Sequence, residues 1–587
     1  MYSRAAFPHS STLLLALGLL AVVLGLHHQL LGGGLLGAEQ SDTIRGIWGL
    51  DHQARALPLP FWTDRVGFPE GVKLLILPFA SSLLAAPLVW LFGAGPAWNL
   101  WMLCLLWASG FTTALFARQL TGRAASGMLA GCMVIGSPML WLALTDGTPE
   151  NVAFWGLPAF LLALWRALAD GGWRWGLLAG VLATVTAADS PYHAVFALML
   201  APICLLALRR PAEGSRKLAV GALLGASALG GLLLLGLYLG LPLDEAPESS
   251  RVGNAVQFRA WLQWEEGRIQ RPWEWTLVPN FIPAWTLLGC LAIALLSPVR
   301  TAPWLLMAAG MLLLSLGPGQ ENPPLLGQVF GGWVVSPLSA WAELLQVHPP
   351  PVVRFLRRFL VPVAFCLGIA AELGLARWRR LALLSTPLGL LVVLLAAEKT
   401  GYASHLPRLS PPALASCEYV ADHHDEGAIL ILPRVRAAHR LEQRDELPVF
   451  ARLGGSVQSA AELYLQVRCE RPAMNMPVGM LTMVPRLGRA EDTAILLRDL
   501  DDLTLPQTLG RSIPPSALND PTRTRATVAW LVDRGLRFVL VDEEMYGPEG
   551  LALLREHFFV ERLVEERRFE DGSGVTVLVL GPAPAPL

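Results

Sequence analysis

Two carboxylates that could remove a proton lie shortly after the first apolar segment of the chain. Glu39 and Asp42 belong to the stretch GAEQSDTIRGIWGLDH, although only 16% of all residues are charged. On a helix, a spacing of three residues places both side chains on one face. A carboxylate can act as a general base when it lies about 2.6–3.2 Å from the group that carries the proton. The alternative is an ion pair of Asp42 with Arg45 in a solvated loop, and Asp51 is interpreted as an ion-pair partner of Arg55.

Basic side chains that could hold an anion lie in a second segment, PPPVVRFLRRFLVPVAF. It contains Arg354, Arg357 and Arg358, just before a long apolar run. A guanidinium is permanently charged and forks onto two phosphate oxygens, so these arginines are candidates for phosphate binding. Lys73, in PEGVK, is a further candidate. The alternative is that the arginines only extend along apolar surface to reach lipid headgroups.

Two short segments supply candidates for substrate binding. Asp146 and Glu150 lie in TDGTPEN, and Asp189 and His193 lie in AADSPYH. These four side chains could line one cavity, or each could be a solvated residue between apolar helices. No spacing of histidine and acidic residues is typical of a metal site, so we predict no cofactor, with a divalent metal as the alternative that the spacing does not support.

The composition indicates which elements must position these residues. Hydrophobic residues make up 53% of the chain, and the mean hydropathy is +0.48. Apolar runs of about the 20 residues that a membrane-spanning helix needs recur up to residue 396. The sequence therefore predicts a multi-span α-helical membrane protein, followed by a charge-rich soluble α/β domain. A net charge of −1 argues against nucleic acid as a partner.

The distribution of arginine predicts the topology. If residues 72–92 crossed the membrane, the arginine-rich loops at 118–123 and 209–217 would lie outside, against the positive-inside rule. We therefore predict that residues 72–92 lie along the outer surface, that the N-terminus is cytoplasmic and that the soluble domain is extracytoplasmic. Glu372 is interpreted as interfacial, near Arg377. About eleven spans are predicted, near residues 11–31, 97–117, 124–144, 151–168, 175–188, 190–208, 218–241, 276–296, 303–317, 359–376 and 381–396.

The predicted transmembrane domain covers residues 1–397 and contains three long outer loops. The loops are residues 32–96, 242–275 and 318–358, and loops of this length usually have functional or structural roles of their own. The soluble domain covers residues 398–587.

The soluble domain contains strand-like segments and two cysteines. GAILILP is typical of a buried strand, RFVLVDEEMYGPEGLALLREHF of a strand–helix unit, and the two runs around EDGSG of a hairpin. Of the 7 cysteines, the other five fall in predicted spans and are expected to be free. Cys417 and Cys469 would face an oxidising compartment, and we predict that they pair. The alternative is two separate buried thiols.

Four stretches of the apolar part carry a family resemblance. They are SDTIRGIWGLDHQARALPLPFWTDRVGFPEGVKLLILP, LFGAGPAWNLWMLCLLWASGFTTALFARQLTGRAASGMLAGCMVIGSP, GLLAGVLATVTAADSPYHAVF and PPPVVRFLRRFLVPVAF. Together they resemble the GT-C superfamily of membrane glycosyltransferases, which use polyprenyl-phosphate sugars, and within it a group of uncharacterised bacterial GT-C-like multi-span proteins. The likeness covers most of residues 40–375.

The resemblance implies a glycosyltransferase of the bacterial inner membrane. Its donor would be a polyprenyl-phosphate-linked sugar, and its acceptor an extracytoplasmic envelope glycan, lipid or protein. By position, Asp42 matches the catalytic carboxylate of the superfamily. The second acid departs from the adjacent pair often found there, because it is Glu39, three residues earlier.

The alternative is a non-catalytic membrane transporter or an assembly partner for envelope polysaccharide or lipid. Transporters usually keep ionisable groups near the bilayer midplane. Nearly all acids of the predicted transmembrane domain lie in its outer loops, which favours the enzyme over a transporter.

Overall fold

The protein is described by a computed structural model. In its N-terminal and central parts the described residues are 9–37, 43–56, 62–63, 65, 72–75, 78–207, 216–238, 284–315 and 356–400. In its C-terminal part they are 408–409, 414–424, 426–432, 469, 471–472, 481–483, 496, 500, 521–569 and 574–582.

The chain divides into two compact units. The helical unit comprises residues 1–36, 77–239 and 243–406, and the mixed unit comprises residues 37–76, 240–242 and 407–587. Residues 37–76, part of the predicted loop 32–96, therefore belong to the mixed unit rather than to the helices that precede and follow them in sequence.

The helical unit is built from helices joined mostly by short connections. Helix α2 (Thr43–Arg55) belongs to the mixed unit. The α-helices of the helical unit are α1 (His9–Leu26), α3 (Phe79–Phe92), α4 (Ala94–Thr121), α5 (Met128–Ile135), α6 (Pro138–Thr145), α7 (Pro149–Val152), α8 (Gly156–Asp170), α9 (Trp173–Asp189), α10 (Pro191–Ala207), α11 (Arg216–Tyr238), α12 (Ala284–Ala294), α13 (Pro298–Ser315), α14 (Leu360–Leu375) and α15 (Ser385–Thr400). Short 3₁₀ turns at His28–Gly32, Leu356–Phe359 and Leu381–Leu384 complete it, together with the two-residue strand β1 (Leu35–Leu36).

Several of these helices are long and apolar enough to cross a membrane. Within the described residues there are four, His9–Leu26, Ala94–Thr121, Pro149–Asp170 and Lys217–Leu234, and a bent pair, α5 and α6, raises the number to five. Shorter apolar helices, α3, α10, α14 and Leu381–Ala397, accompany them. The described part of the chain is thus mostly helical with four to five candidate spans, and the count of eleven stays a prediction.

Two segments differ from uninterrupted spans. The predicted span 124–144 bends by 43° between α5 and α6. Ser137 precedes Pro138 and is extended (ψ 120°), because a residue before proline is pushed out of the helical region. Residues 72–92 are divided into a strand and the 14-residue helix α3. At about 1.5 Å per residue this helix is about 21 Å long, shorter than the roughly 30 Å hydrocarbon core of a bilayer.

Helix ends rich in arginine meet at one end of the helical unit. Arg123 donates from Nε to the carbonyl oxygen of Ala376 at 3.1 Å, and Arg166 donates from Nη2 to Oε1 of Gln119 at 2.9 Å. These contacts bring the C-terminal ends of α4, α8 and α14 together. We call this the arginine-rich end. The opposite ends of α8, α9 and α14 lie next to the predicted substrate- and phosphate-binding residues.

A fully buried carboxylate holds α5 in place at the arginine-rich end. Glu372, in α14, is 0% exposed. Its Oε1 accepts hydrogen bonds from the backbone N–H groups of Gly127 at 2.8 Å and Leu129 at 3.0 Å, and from the Ser385 hydroxyl at 2.5 Å. The N-cap of α5 is Gly127, which has no side chain to accept these N–H groups. Glu372 is thus buried inside the protein and supplies the missing cap, while its interpretation as interfacial, near Arg377, stays a prediction.

The mixed unit contains two sheets. Strands β2 (Trp62–Thr63), β3 (Val72–Leu75) and β6 (Leu481–Met483) form an antiparallel sheet in the order β2-β3-β6. Strands β5 (Ala428–Leu432), β7 (Leu536–Asp542), β9 (Val575–Leu580) and β8 (Leu563–Arg568) form a four-stranded sheet in that order, with β5 parallel to β7 and the other pairs antiparallel. Helices α16 (Ala415–Asp422), α17 (Pro521–Asp533) and α18 (Glu543–Leu553) and the short strand β4 (Arg408–Leu409) complete it.

The local predictions for this region are confirmed. GAILILP contains β5, the strand–helix segment contains β7 and α18, and the final hairpin is formed by β8 and β9. The sheet packs its buried side chains, among them Leu430, Val539 and Leu578, against Leu531 of α17 and Phe558. Cys417 and Cys469 form a disulfide, and the five other cysteines are free, as predicted.

Substitution of Glu372 tests its role as the cap of α5. Glu372→Ala leaves several buried donors without an acceptor, each costing about 1–3 kcal/mol. Glu372→Gln keeps a carbonyl oxygen for them. We expect thermal unfolding in detergent to show a much larger loss of stability for the alanine variant than for the glutamine variant. Glu418→Ala, at an exposed site on α16, is the control. Equal, small losses for both Glu372 variants would contradict the assignment.

Candidate active site

Among the predicted phosphate-binding residues, Arg358 is the one whose side chain the structure describes. It lies in the 3₁₀ turn Leu356–Phe359, directly before α14. Its Nη2 is 3.3 Å from Oε1 of Glu150, and the two side chains are 14% and 15% exposed. Its guanidinium carbon lies 4.5 Å from the centre of the Tyr192 ring. Three segments that are distant in sequence therefore meet at one guanidinium, a group with five N–H donors that suits an anion such as phosphate.

Aromatic rings pack beside this cation. The buried His193 ring lies 5.6 Å from Phe154 and 6.0 Å from Phe196, and Phe196 lies 5.1 Å from Phe359. His193 also hydrogen-bonds the backbone of Ala153. An apolar lining of this kind excludes water, and a charge interaction is stronger where water is excluded.

Asp189 occupies a structural position next to this cluster. It is 1% exposed. Its Oδ1 accepts the backbone N–H of Ser81 at 2.8 Å and its Oδ2 accepts the Ser81 hydroxyl at 2.5 Å, while Trp155 Nε1 donates to the same hydroxyl at 2.9 Å. Because the N-cap residue of α3 is Pro78, which has no side-chain acceptor, Asp189 caps this helix from α9. A substrate contact by Asp189 would require these bonds to open.

The other predicted residues are placed as follows. Asp146 follows α6 and is partly exposed, four residues before Glu150. Lys73 lies in β3 of the mixed unit, paired with Trp62 and Met483, and its side chain is outside the described residues. Arg357 lies in the same 3₁₀ turn as Arg358, with its side chain likewise not described. Glu39, Asp42 and Arg354 lie outside the described residues.

The structure thus brings Glu150, His193 and Arg358 together and places Asp189 beside them.

Sequence reasoning missed Ser81, Trp155 and Tyr192. For Tyr192 a signal was present, since it directly precedes His193. Nothing local pointed to Ser81, because its partner is more than one hundred residues away.

The interpretation of Asp51 as an ion-pair residue is confirmed. It is 2% exposed and bonds Arg55 at 2.8 Å and Arg65 at 2.9 Å, both within the mixed unit. Across the described ranges, no three His, Cys, Asp or Glu side chains are grouped closely enough to hold a metal ion.

Comparison with known proteins shows similarity at the level of the fold. No family model and no curated protein match the chain. Among solved structures, the mycobacterial arabinofuranosyltransferase AftD matches with a TM-score of 0.52 at 16% identity, over 99% of this chain and 42% of that one. The chain therefore shares the overall fold of this structure. It spans less than half of the length of AftD.

Two structures of an archaeal protein match less well. The Archaeoglobus fulgidus oligosaccharyltransferase tethered to an acceptor peptide gives a TM-score of 0.42 at 10% identity, over 96% of this chain and 73% of that one. The same organism's oligosaccharyltransferase AglB with an inhibitory peptide and a dolichol-phosphate gives 0.38 at 10% identity, over 98% and 75%. The conclusion on the fold rests on AftD alone.

If Asp189 caps α3, its substitution should lower the protection of backbone N–H groups at the start of this helix from hydrogen exchange. Asp189→Ala removes the acceptor of the Ser81 N–H, and an unsatisfied buried donor costs about 1–3 kcal/mol. We expect hydrogen exchange at the start of α3 to rise roughly tenfold to a hundredfold. Ser82→Ala is the matched control, because the Ser82 hydroxyl bonds only the backbone oxygens of Pro78 and Phe79 in the described structure. Unchanged exchange in Asp189→Ala would show that α3 does not depend on this carboxylate.

Proposed function

We propose that the protein is a membrane glycosyltransferase that moves a sugar from a polyprenyl-phosphate donor to an extracytoplasmic acceptor. The observation that carries the proposal is the position of Arg358. It lies at one end of a bundle with a GT-C-like fold, beside Glu150 and Tyr192. A polyprenyl phosphate has its tail in the bilayer and its phosphate at the membrane boundary, so a binding group for it must lie where a helix meets that boundary.

The proposed reaction needs a base that removes the acceptor proton and a cation that stabilises the leaving phosphate. The acceptor hydroxyl attacks C1 of the sugar, the bond from C1 to the phosphate oxygen breaks, and polyprenyl phosphate leaves. Asp42 takes the hydroxyl proton, with Glu39 as the second acid. Arg358, with Arg354 and Arg357, stabilises the charge of the leaving phosphate through charge-assisted hydrogen bonds. We assign this charge stabilisation to arginine and propose no metal or other cofactor for it.

The proposed orientation follows from the same geometry. The arginine-rich end would be cytoplasmic by the positive-inside rule. Arg358 and Glu150 would then lie at the outer boundary of a bacterial inner membrane, with the N-terminus inside, the C-terminal α/β region outside and about eleven spans between them. The acceptor would be an envelope glycan, a lipid or a protein.

A lipid transporter or an assembly partner is the second candidate, and one observation bears on it. Glu372 is a buried acid inside α14, and buried ionisable groups are typical of transport pathways. However, its Oε1 is bonded to Gly127, Leu129 and Ser385. These bonds explain the residue as part of the fold, which favours the enzyme over a transporter and does not bear on an assembly partner.

Turnover of a labelled donor tests the proposal. The full-length protein in nanodiscs would be given polyprenyl-phosphate sugars with envelope-derived acceptors, and release of polyprenyl phosphate would be measured. We expect Asp42→Asn to lower turnover by roughly 10²–10⁴-fold, as is typical for loss of a general base, while donor binding is retained. Arg358→Gln should instead weaken donor binding.

The controls are matched by charge. Arg300→Gln removes an exposed arginine in the first turn of α13, and Asp422→Asn removes an exposed acid at the end of α16. Both should leave turnover unchanged. Absence of donor binding by the unmodified protein would overturn the proposal, and binding with no sugar transfer to any acceptor would favour the transporter or assembly partner.

A further inference from the structure

The ion pair of Glu150 with Arg358 differs from the one formed by Asp51. Asp51 is almost fully buried and is held by two arginines at 2.8 and 2.9 Å. Glu150 contacts Arg358 at 3.3 Å, and both side chains keep part of their surface exposed. Charge-assisted hydrogen bonds are usually about 2.7–2.9 Å long. The contact between Glu150 and Arg358 is therefore long and accessible, as expected of a pair whose partners can separate.

Arg358 needs a compensating charge when no ligand is bound. It is largely buried beside aromatic rings, and leaving a charge buried without a partner is costly. Glu150 supplies that charge. A phosphate that binds the same guanidinium would be placed next to the Glu150 carboxylate, and two anions that share one site repel each other. The carboxylate and the phosphate therefore compete for Arg358.

We propose that Glu150 is an exchange partner for the donor phosphate. It neutralises Arg358 in the empty protein and releases the guanidinium when a polyprenyl phosphate binds. This inference rests on the proposed function, and it changes the role of Glu150 from a substrate ligand to a residue that sets donor affinity and eases release of the phosphate product.

Tyr192 explains why Arg358 would stay in place during the exchange. The guanidinium lies 4.5 Å from the centre of the Tyr192 ring, a distance typical of a cation–π contact. This contact does not involve Glu150, so it persists when the carboxylate moves away. Removal of the Glu150 charge should therefore free Arg358 without displacing it.

Binding of polyprenyl phosphate to charge-neutral variants tests the inference. Full-length protein in phosphatidylcholine nanodiscs would be titrated with a long-chain polyprenyl phosphate. We expect Glu150→Gln to bind about two- to fivefold more tightly than the unmodified protein, the upper part of the range measured for exposed ion pairs. Glu561→Gln is the matched control, because Glu561 also pairs with an arginine, Arg525, at 3.3 Å, in the mixed unit. Its affinity should not change.

Two further measurements test whether the gain in affinity depends on the Arg358 guanidinium and on the phosphate of the lipid. In an Arg358→Gln background the gain from Glu150→Gln should vanish, since no guanidinium is left to release. Polyprenol of the same length, which has no phosphate, should show no gain. If Glu150→Gln does not fold, Glu150→Asp tests the same point. It keeps the charge, but its shorter side chain weakens the ion pair with Arg358. We then expect a larger gain in polyprenyl phosphate affinity for Glu150→Asp than for Glu561→Asp.

The outcomes distinguish this inference from the proposed function. Equal or weaker binding by Glu150→Gln, with clear binding by the unmodified protein, would overturn the exchange role and leave the proposed function standing. A gain that survives in the Arg358→Gln background, or that appears for phosphatidylglycerol but not for polyprenyl phosphate, would also overturn it. No binding by any of the proteins would overturn the proposed function itself.

Discussion

The helical unit depends on one buried carboxylate at the N-terminus of α5. Glu372 gathers backbone donors of α5 and the Ser385 hydroxyl of α15 onto one oxygen. Around it the helices approach closely through glycine. A Cβ on Gly368 would lie 2.9 Å from the Ala130 backbone, and one on Gly131 would lie 2.8 Å from the carbonyl oxygen of Gly110. Small residues at such crossings let helices pack where lipid offers no hydrophobic driving force. The acid therefore fixes the helix against which α4, α14 and α15 pack.

The opposite end of the bundle uses the same device and leaves a second acid for function. Asp189 caps α3 as Glu372 caps α5, because Pro78 and Gly127 precede these helices and offer no side-chain acceptor. Its carboxylate is thereby committed to the fold. Glu150 differs, since its side chain is partly exposed and it pairs with the Arg358 guanidinium at the longer distance of 3.3 Å. The arrangement of partners, rather than residue type, separates the acid that builds the bundle from the acid that we propose exchanges with the donor phosphate.

The parts of this structure that sequence could predict are the ones that depend on local pattern. The turn between α9 and α10, the strands β5 and β7, the final hairpin and the i, i+4 pair of Asp51 with Arg55 follow from apolar runs and short spacings. The roles of Glu372 and Asp189 depend on partners that only the tertiary fold brings near. The bend at Ser137 was missed because both flanking helices are uniformly apolar, so that hydropathy merges them. Asp42 and Arg354 stay predictions, because they lie outside the described residues.

The central claim is that the phosphate of a polyprenyl lipid binds Arg358. An electron cryomicroscopy structure of the full-length chain with bound polyprenyl phosphate tests it most directly. The account predicts phosphate oxygens within hydrogen-bond distance of the Arg358 guanidinium, with the Tyr192 contact kept and the Glu150 carboxylate turned away. A phosphate bound at the arginine-rich end, with Arg358 still paired to Glu150, would contradict it.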